Sequence, residues 1–192
     1  MPKKKHAKST VKKGPSYLPG DPNPSKDLER MIRVDHAGEY GAVRIYAGQY
    51  TVLRDRPAGK VIREMAEQEA KHLQRFNKIL PARNVRPTIL LPLWHITGYM
   101  LGMTTALLGE RAAMACTVAV EEVIDQHYAD QAARLGPEED VLKQTIEKFR
   151  AEELDHRDTA LDHDAENAPG YPILTSTIKI ASRAAIWLST RI

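Results

Sequence analysis

The sequence of 192 residues contains little cysteine and few aromatic side chains. Its single cysteine, Cys116, excludes an internal disulfide and the zinc or iron sites that need two or more thiolates. Aromatic residues make up 6% of the chain and form no stacking motif of the RNA-binding type, so we expect no nucleic acid partner. No stretch alternates between apolar and polar residues, so strands are not indicated.

Positive charge is concentrated at the start of the chain. The formal net charge is +3, but residues 1–13 contain six lysines and no acidic residue, so the remainder is net acidic. Prolines and glycines follow, which predicts a flexible basic arm over 1–24 and one domain over 25–192. No secretory signal or clear transit peptide is indicated. The arm is interpreted either as a solvated tail or as a segment attracted to an anionic lipid surface.

Apolar residues after Pro24 recur at spacings of three and four, which is typical of helices. Segments rich in proline and glycine divide the chain into six predicted helices, over 25–54, 58–80, 93–108, 110–135, 138–167 and 172–190. Four of them carry an apolar stripe that is interrupted halfway by acidic or histidine residues. We therefore predict an all-α fold, a four-helix bundle with two additional helices of apolar or amphipathic character. A buried carboxylate is costly unless it is compensated, so each interruption requires a partner.

The interruptions form a repeated pattern. Two helices carry Glu-x-x-His, as Glu69 with His72 and Glu153 with His156, and residues three apart share one helix face. The preceding helices each carry one such glutamate, Glu39 and Glu121. This set matches the ligands of di-iron or di-manganese sites in helix bundles, where four carboxylates neutralise two divalent cations.

Some assignments stay open at this point. Glu122 is an alternative to Glu121, and Glu152 to Glu153, although the apolar stripes favour Glu121 and Glu153. Asp35, one turn before Glu39, is a candidate to orient a ligand imidazole. His127 and Tyr128 are candidates for an outer layer or a redox relay, and structural roles are expected for the remaining histidines, among them His36, His95 and His163.

Residues 87–109 carry no formal charge, but their prolines, threonines and glycines make them a poor membrane-spanning helix. The last predicted helix combines apolar residues with Lys179, Arg183 and Arg191, a pattern suited to lying at a membrane interface. We predict peripheral membrane association of both segments. Packing on the bundle or a homodimer contact are the alternatives.

Five segments resemble the 5-demethoxyubiquinone hydroxylase family of ubiquinone biosynthesis: RVDHAGEYGAVRIYAGQ (33–49), EAKHLQRFN (69–77), RPTILLPLW (86–94), MACTVAVEE (114–122) and FRAEELDHRDTALDHDAE (149–166). The resemblance implies a ferritin-like di-iron monooxygenase that hydroxylates the ring of a polyprenylated demethoxy-benzoquinone with O₂. It carries the metal ligands onto the same six residues and matches the family's His-Tyr element to His127 and Tyr128.

The resemblance also implies partners and a location. NADH is the suggested electron donor, although no G-x-G-x-x-G fingerprint is present to bind it. Partners in a ubiquinone-biosynthesis complex are implied, including a lipid-binding accessory protein in eukaryotes. The expected location is the cytoplasmic face of a bacterial inner membrane, or the matrix side of the mitochondrial inner membrane in a eukaryote. The competing hypotheses are a ferroxidase or iron store of bacterioferritin type and a metal-free membrane scaffold.

Overall fold

The computed structural model describes residues 23–192, and this part of the chain contains helices and no strand. The helices are α1 (Pro24–Leu53), α2 (Gly59–Ala82), α3 (Leu91–Leu107), α4 (Glu110–Arg134), α5 (Asp140–Asp162) and α6 (Tyr171–Ser189). The all-α prediction is confirmed. The predicted basic arm lies outside the described residues up to position 22, so its character stays a prediction.

Four of the helices form the bundle and the other two cover it. Helix α1 packs on α2, and α4 packs on α5, while α3 lies across α1 and α6 lies across α4. Because α6 and α3 cover its outer side, α4 is buried on all sides from Ala112 to Glu121. The ferritin-like bundle with two additional helices is therefore confirmed.

Glycines let the apolar helix α3 approach α1 closely. A side chain at Gly102 would collide with the carbonyl of Ile45, and one at Gly48 would collide with the carbonyl of Tyr99. The two backbones are therefore in direct contact. The uncharged segment is held against the bundle along its length, and none of the helices within residues 23–192 combines the length and apolarity needed to cross a bilayer.

One predicted helix boundary is wrong. The fifth helix was predicted to run to residue 167 but ends at Asp162, followed by a short 3₁₀ turn over Ala165–Asn167. The reason is Asp164, whose φ of 65° places it in the left-handed region, where a right-handed helix cannot continue. Its carboxylate accepts hydrogen bonds from Arg111 at 2.8 Å and from Asn167 at 3.2 Å, which stabilise this turn.

Candidate metal centre

The six predicted ligand residues meet in the centre of the bundle. Each lies midway along its helix. On α2 and α5 the other buried positions are apolar, so the stripe that buries the helix also buries the polar group. None of the six residues is more than 3% exposed: Glu39, Glu69, His72, Glu121, Glu153 and His156. The periodicity of the chain therefore brings four carboxylates and two imidazoles into one enclosed space.

These residues form two overlapping groups, each of which could hold a metal ion. One group comprises Glu39, Glu69, His72 and Glu153, and the other comprises Glu69, Glu121, Glu153 and His156. Within each group, one ligand atom from every residue lies within 4.8 Å of the others. Glu69 and Glu153 belong to both groups and lie between them.

The imidazoles point their Nδ1 atoms into the cluster. His72 Nδ1 lies 3.1 Å from Glu153 Oε1 and 3.5 Å from Glu39 Oε2. His156 Nδ1 lies 3.0 Å from Glu69 Oε1 and 3.2 Å from Glu153 Oε2. Phe149 stacks on the His72 ring with centroids 3.9 Å apart and fixes its plane.

The cluster contains more carboxylates than imidazoles, and this imbalance is reflected in the pKa values of its members. Burial raises the pKa of Glu39, Glu69 and Glu121, and the neighbouring charge of Glu153 raises it further. Burial opposes the ionisation of Glu153 as well, but hydrogen bonds with His156 and His72 outweigh it and lower the pKa of Glu153 to about 2. Although burial works against the charged imidazole, hydrogen bonds with Glu153 and Glu39 raise the pKa of His72 to about 11.

Several oxygens of these carboxylates have no hydrogen-bond partner among the described residues. They are both oxygens of Glu69 and Oε2 of Glu121. Nδ1 of His156 lies 3.0 Å from Oε1 of Glu69, but the contact lacks hydrogen-bond geometry. An unsatisfied buried acceptor costs about 1–3 kcal/mol, so the cluster is suited to a positive ligand. Hard carboxylate oxygens combined with imidazole nitrogens suit iron or manganese. The donor set present therefore fits a pair of such ions.

Two buried tyrosines form hydrogen bonds across the bundle with Glu39 and Glu121, the glutamates that belong to only one group each and are called the outer glutamates below. The hydroxyl of Tyr128 on α4 donates to Oε1 of Glu39 on α1. The hydroxyl of Tyr46 on α1 donates to Oε1 of Glu121 on α4, at 2.8 Å. Sequence reasoning singled out Tyr128 and missed Tyr46. The signal was present, because each tyrosine follows a glutamate by seven residues on its own helix.

The outer edges of the two imidazoles are held by residues that directly precede the shared glutamates. His72 Nε2 lies 2.7 Å from Glu152 Oε2, and His156 Nε2 lies 3.3 Å from Gln68 Oε1. A ligand histidine usually donates its second N–H to such an acceptor. Both acceptors line a polar cleft of about 530 Å³ between α2 and α5.

The structure places Asp35, the residue predicted to orient a ligand imidazole, beside Gln131 and His127. Asp35 accepts a hydrogen bond from Gln131 at 2.7 Å and lies 3.4 Å from Nε2 of His127. It lies on α1, whereas the outer edges of the ligand imidazoles face the cleft between α2 and α5. His127 is 21% exposed and contacts Asp35 and Gln131, so it lies one layer farther from the cluster than Tyr128.

The structure also places the alternative ligands and the remaining predicted histidines. Glu122 points outward and forms an ion pair with Lys179 of α6, so Glu121 is the residue in the cluster. Glu152 lies behind His72, so Glu153 is the corresponding residue on α5. The other histidines that were singled out lie outside the cluster: His36 pairs with Asn77 at 3.0 Å, His95 pairs with Tyr40 at 2.7 Å, and His163 caps α5.

Fold and cluster together define a class, the ferritin-like helical bundles with a buried carboxylate–histidine cluster able to hold metal ions. Within that class, the chain belongs to the family described as ubiquinone biosynthesis protein COQ7, whose family model matches residues 26–189. The resemblance inferred from the sequence motifs is confirmed.

Relatives of known name are similar over most of their length. A 3-demethoxyubiquinol 3-hydroxylase from Rhodospirillum rubrum is 54% identical over 176 residues, covering 91% of this chain and 83% of the relative. An NADPH-dependent 3-demethoxyubiquinone 3-hydroxylase, mitochondrial, from Homo sapiens is 54% identical over 169 residues, covering 86% and 78%. A 5-demethoxyubiquinone hydroxylase, mitochondrial, from Saccharomyces cerevisiae is 45% identical over 182 residues, covering 86% and 78%.

Proposed function

We propose that this protein is an O₂-dependent monooxygenase that hydroxylates the ring of a polyprenylated demethoxyubiquinone-type substrate in ubiquinone biosynthesis. The observation that carries the proposal is the convergence of the six buried side chains in a chain whose relatives are named hydroxylases of this substrate class. The names of these relatives do not favour the alternative of a bacterioferritin-type ferroxidase.

The ligands we propose are Glu39 and His72 for one iron ion, Glu121 and His156 for the other, with Glu69 and Glu153 shared. When bound, the two ions would supply the redox chemistry that activates O₂. One oxygen atom would enter the ring, and the other would leave as water with two protons and two electrons from the reduced nicotinamide proposed below. The chain encloses this chemistry, because the ligand side chains are nearly inaccessible to solvent. Tyr46 and Tyr128 hold the outer carboxylates in position through their hydrogen bonds.

An apolar groove gives the substrate a route to the cluster. The groove has a volume of about 390 Å³ and lies between α1, α3, α4 and α6. Its walls include Gly38 and Val120, the neighbours of Glu39 and Glu121 in the chain. An apolar passage suits a quinone ring that carries an isoprenoid tail and excludes water from its approach.

We propose that the protein binds peripherally to a membrane through the outer faces of α3 and α6. Exposed apolar residues recur along one side of each helix, as Leu93, Ile96 and Met100 on α3 and as Ile173, Ile180 and Trp187 on α6. Contiguous exposed apolar residues are typical of surfaces that bind a membrane or another protein, and this band lies beside the groove. The proposed location is the cytoplasmic face of a bacterial inner membrane, or the matrix side of the mitochondrial inner membrane in a eukaryote. The names of the human and yeast relatives include the word mitochondrial.

A reduced nicotinamide is the proposed electron donor. The name of the human relative specifies NADPH, whereas the sequence resemblance suggests NADH. Oxidation of each nucleotide by the purified holoenzyme, measured with substrate present and absent, distinguishes the two donors.

Vesicle flotation tests the membrane surface. Ile96→Glu and Ile180→Glu place charge on the apolar band at exposed positions, so the fold tolerates them and binding to vesicles should fall. Val141→Glu is the matched control, because Val141 is 66% exposed but lies on α5, away from the band. Equal binding by all three variants would contradict the proposed membrane face.

Quinone analysis by mass spectrometry tests the function. Cells that lack the gene should accumulate demethoxyubiquinone, and the wild-type gene should restore ubiquinone. Glu153→Ala should fail to restore it because it removes a residue shared by both groups, whereas the control Glu147→Ala removes an exposed carboxylate from the same helix. Normal ubiquinone in the deletion strain would refute the proposed function.

A further inference from the structure

The described chain consists of two similar halves of three helices each. Helices α1 to α3 correspond to α4 to α6, since α3 covers α1 as α6 covers α4. The glutamate and tyrosine of α1, Glu39 and Tyr46, recur 82 residues later on α4 as Glu121 and Tyr128. The Glu-x-x-His of α2 recurs 84 residues later on α5. The cluster therefore has an approximate two-fold symmetry that exchanges its two groups.

The residues behind the ligand imidazoles break this symmetry. At equivalent positions, His72 meets the carboxylate of Glu152 at 2.7 Å, whereas His156 meets the neutral amide oxygen of Gln68 at 3.3 Å. Hydrogen bonds to a carboxylate are shorter and about twice as strong as those between neutral groups. The difference in length agrees with the difference in charge.

A second departure lies on the same side. Asp35 on α1 corresponds to Thr117 on α4, 82 residues later. Asp35 accepts from Gln131 at 2.7 Å, and Thr117 occupies the equivalent place beside Gln49 at 3.5 Å. Both acidic members of the unequal pairs, Asp35 and Glu152, therefore belong to the surroundings of the Glu39–His72 group.

We propose that the two metal positions are unequal because of the residues behind their ligands, with the ion at Glu39 and His72 bound more tightly than the ion at Glu121 and His156. The inference rests on the metal centre proposed above. A carboxylate that accepts the outer N–H of a ligand imidazole makes that imidazole a stronger donor and fixes its orientation. Glu152 is a positioning residue in this sense, and Gln68 is its weaker counterpart.

Half-site variants make the two positions separately measurable. Glu121→Ala leaves only the Glu39–His72 group with four ligands, and Glu39→Ala leaves only the Glu121–His156 group. Each full-length metal-free variant is titrated with Co²⁺, whose visible absorption reports both occupancy and ligand geometry. We expect one ion per chain in each variant and a lower Kd in the Glu121→Ala protein.

Exchange of the two positioning residues then tests the cause. Adding Glu152→Gln to the Glu121→Ala protein should weaken Co²⁺ binding by about 10–100-fold, the usual effect of losing such a partner. Adding Gln68→Glu to the Glu39→Ala protein should strengthen binding. Glu147→Gln is the control for charge alone, because Glu147 is exposed on the same helix as Glu152.

The outcomes separate this inference from the proposal beneath it. Equal Kd values in the two half-site proteins, or an effect of Glu147→Gln as large as that of Glu152→Gln, would overturn the inequality and leave the metal centre intact. No Co²⁺ binding by the wild-type protein would overturn both. Circular dichroism checks that each half-site variant is folded. If one of them is not folded, Glu152→Gln and Gln68→Glu are made singly in the wild-type chain. Each should bring the Kd values of the first and second Co²⁺ ions closer together, and unchanged Kd values would overturn the inference.

Discussion

Replacement of Glu69 by methionine should stabilise the metal-free protein while removing its response to metal. Glu69 is fully buried, and neither of its carboxylate oxygens accepts a hydrogen bond of good geometry among the described residues, although Nδ1 of His156 lies 3.0 Å from Oε1. Burial and the charges of Glu153 and Glu39 raise its pKa well above the usual range. Methionine has a similar unbranched shape and carries no oxygen that requires a partner.

The magnitude follows from the cost of the unsatisfied carboxyl group. Removing one such group should raise the free energy of unfolding by about 1–3 kcal/mol. For a domain of this size that corresponds to an increase in Tm of about 2–12 °C, at about 2–4 °C per kcal/mol. The wild-type protein should gain about 2.7 kcal/mol from each ion at a concentration 100 times its Kd. The variant should lose most of this gain, because Glu69 belongs to both groups.

Thermal unfolding followed by circular dichroism, with and without Co²⁺, measures both effects. Glu64→Met is the control on the same helix, since Glu64 is exposed and its pair with Lys60 contributes only about 0.3–0.5 kcal/mol. A lower Tm for the metal-free Glu69→Met protein would show that the carboxylate is stabilised where it lies. A metal-induced shift as large as that of the wild type would show that Glu69 is not a shared ligand.

Three further predictions concern other parts of the site. The pKa of His72 is raised from 6.5 to about 11, so its contribution to metal-free stability is present below pH 6.5 and decreases as the pH rises toward 11. The Tm of the metal-free protein should therefore fall between these pH values. A rise in Tm over this range would contradict the assignment. Tyr46→Phe and Tyr128→Phe should each lower metal affinity by about 10-fold or more in Co²⁺ titrations. An effect at Tyr128 with none at Tyr46 would refute the equivalence of the two hydroxyls. Gly41 lines the groove, and a Cβ atom there meets nothing within 4 Å, so the fold should accept a larger residue at this position. Gly41→Leu should abolish hydroxylation in a product assay yet retain metal binding, whereas full activity would exclude the groove as the substrate route.

The helical stripes were predictable because their periodicity is unambiguous. On α5, the predicted inward positions from Leu142 to Ala160 are the positions that the structure buries. The burial of α4 on all sides was not predictable, because residues such as Ala115 and Ala119 fit either a core or a partly exposed face, and the packing of α6 decides between them. The helices follow from local spacing, whereas the convergence of the six polar side chains also required the expectation that the four striped helices form one bundle.

The hydrogen bonds around the cluster were harder to predict than its members. The aromatic ring of Tyr46 fits an apolar stripe, and that pattern does not indicate that its hydroxyl donates a hydrogen bond to Glu121 on another helix. The sequence offers Glu152 only as an alternative metal ligand to Glu153, whereas it contacts His72 from a different helix. Such contacts depend on the relative rotation of two helices, which periodicity within one helix does not determine. A comparison of the two halves position by position is the signal that identifies them.

The sharing of Glu69 and Glu153 between the two groups has a consequence for assembly. The first group has three residues from the half that contains α1 and α2 and one residue, Glu153, from the other half. The second group has only Glu69 from the half that contains α1 and α2 and three residues from the other half. A nascent or proteolytically clipped chain with only one half in place holds neither complete set. A metal ion that needs a complete group can therefore bind only after the two halves have docked, so the chemistry of the proposed metal centre begins only in the fully folded protein.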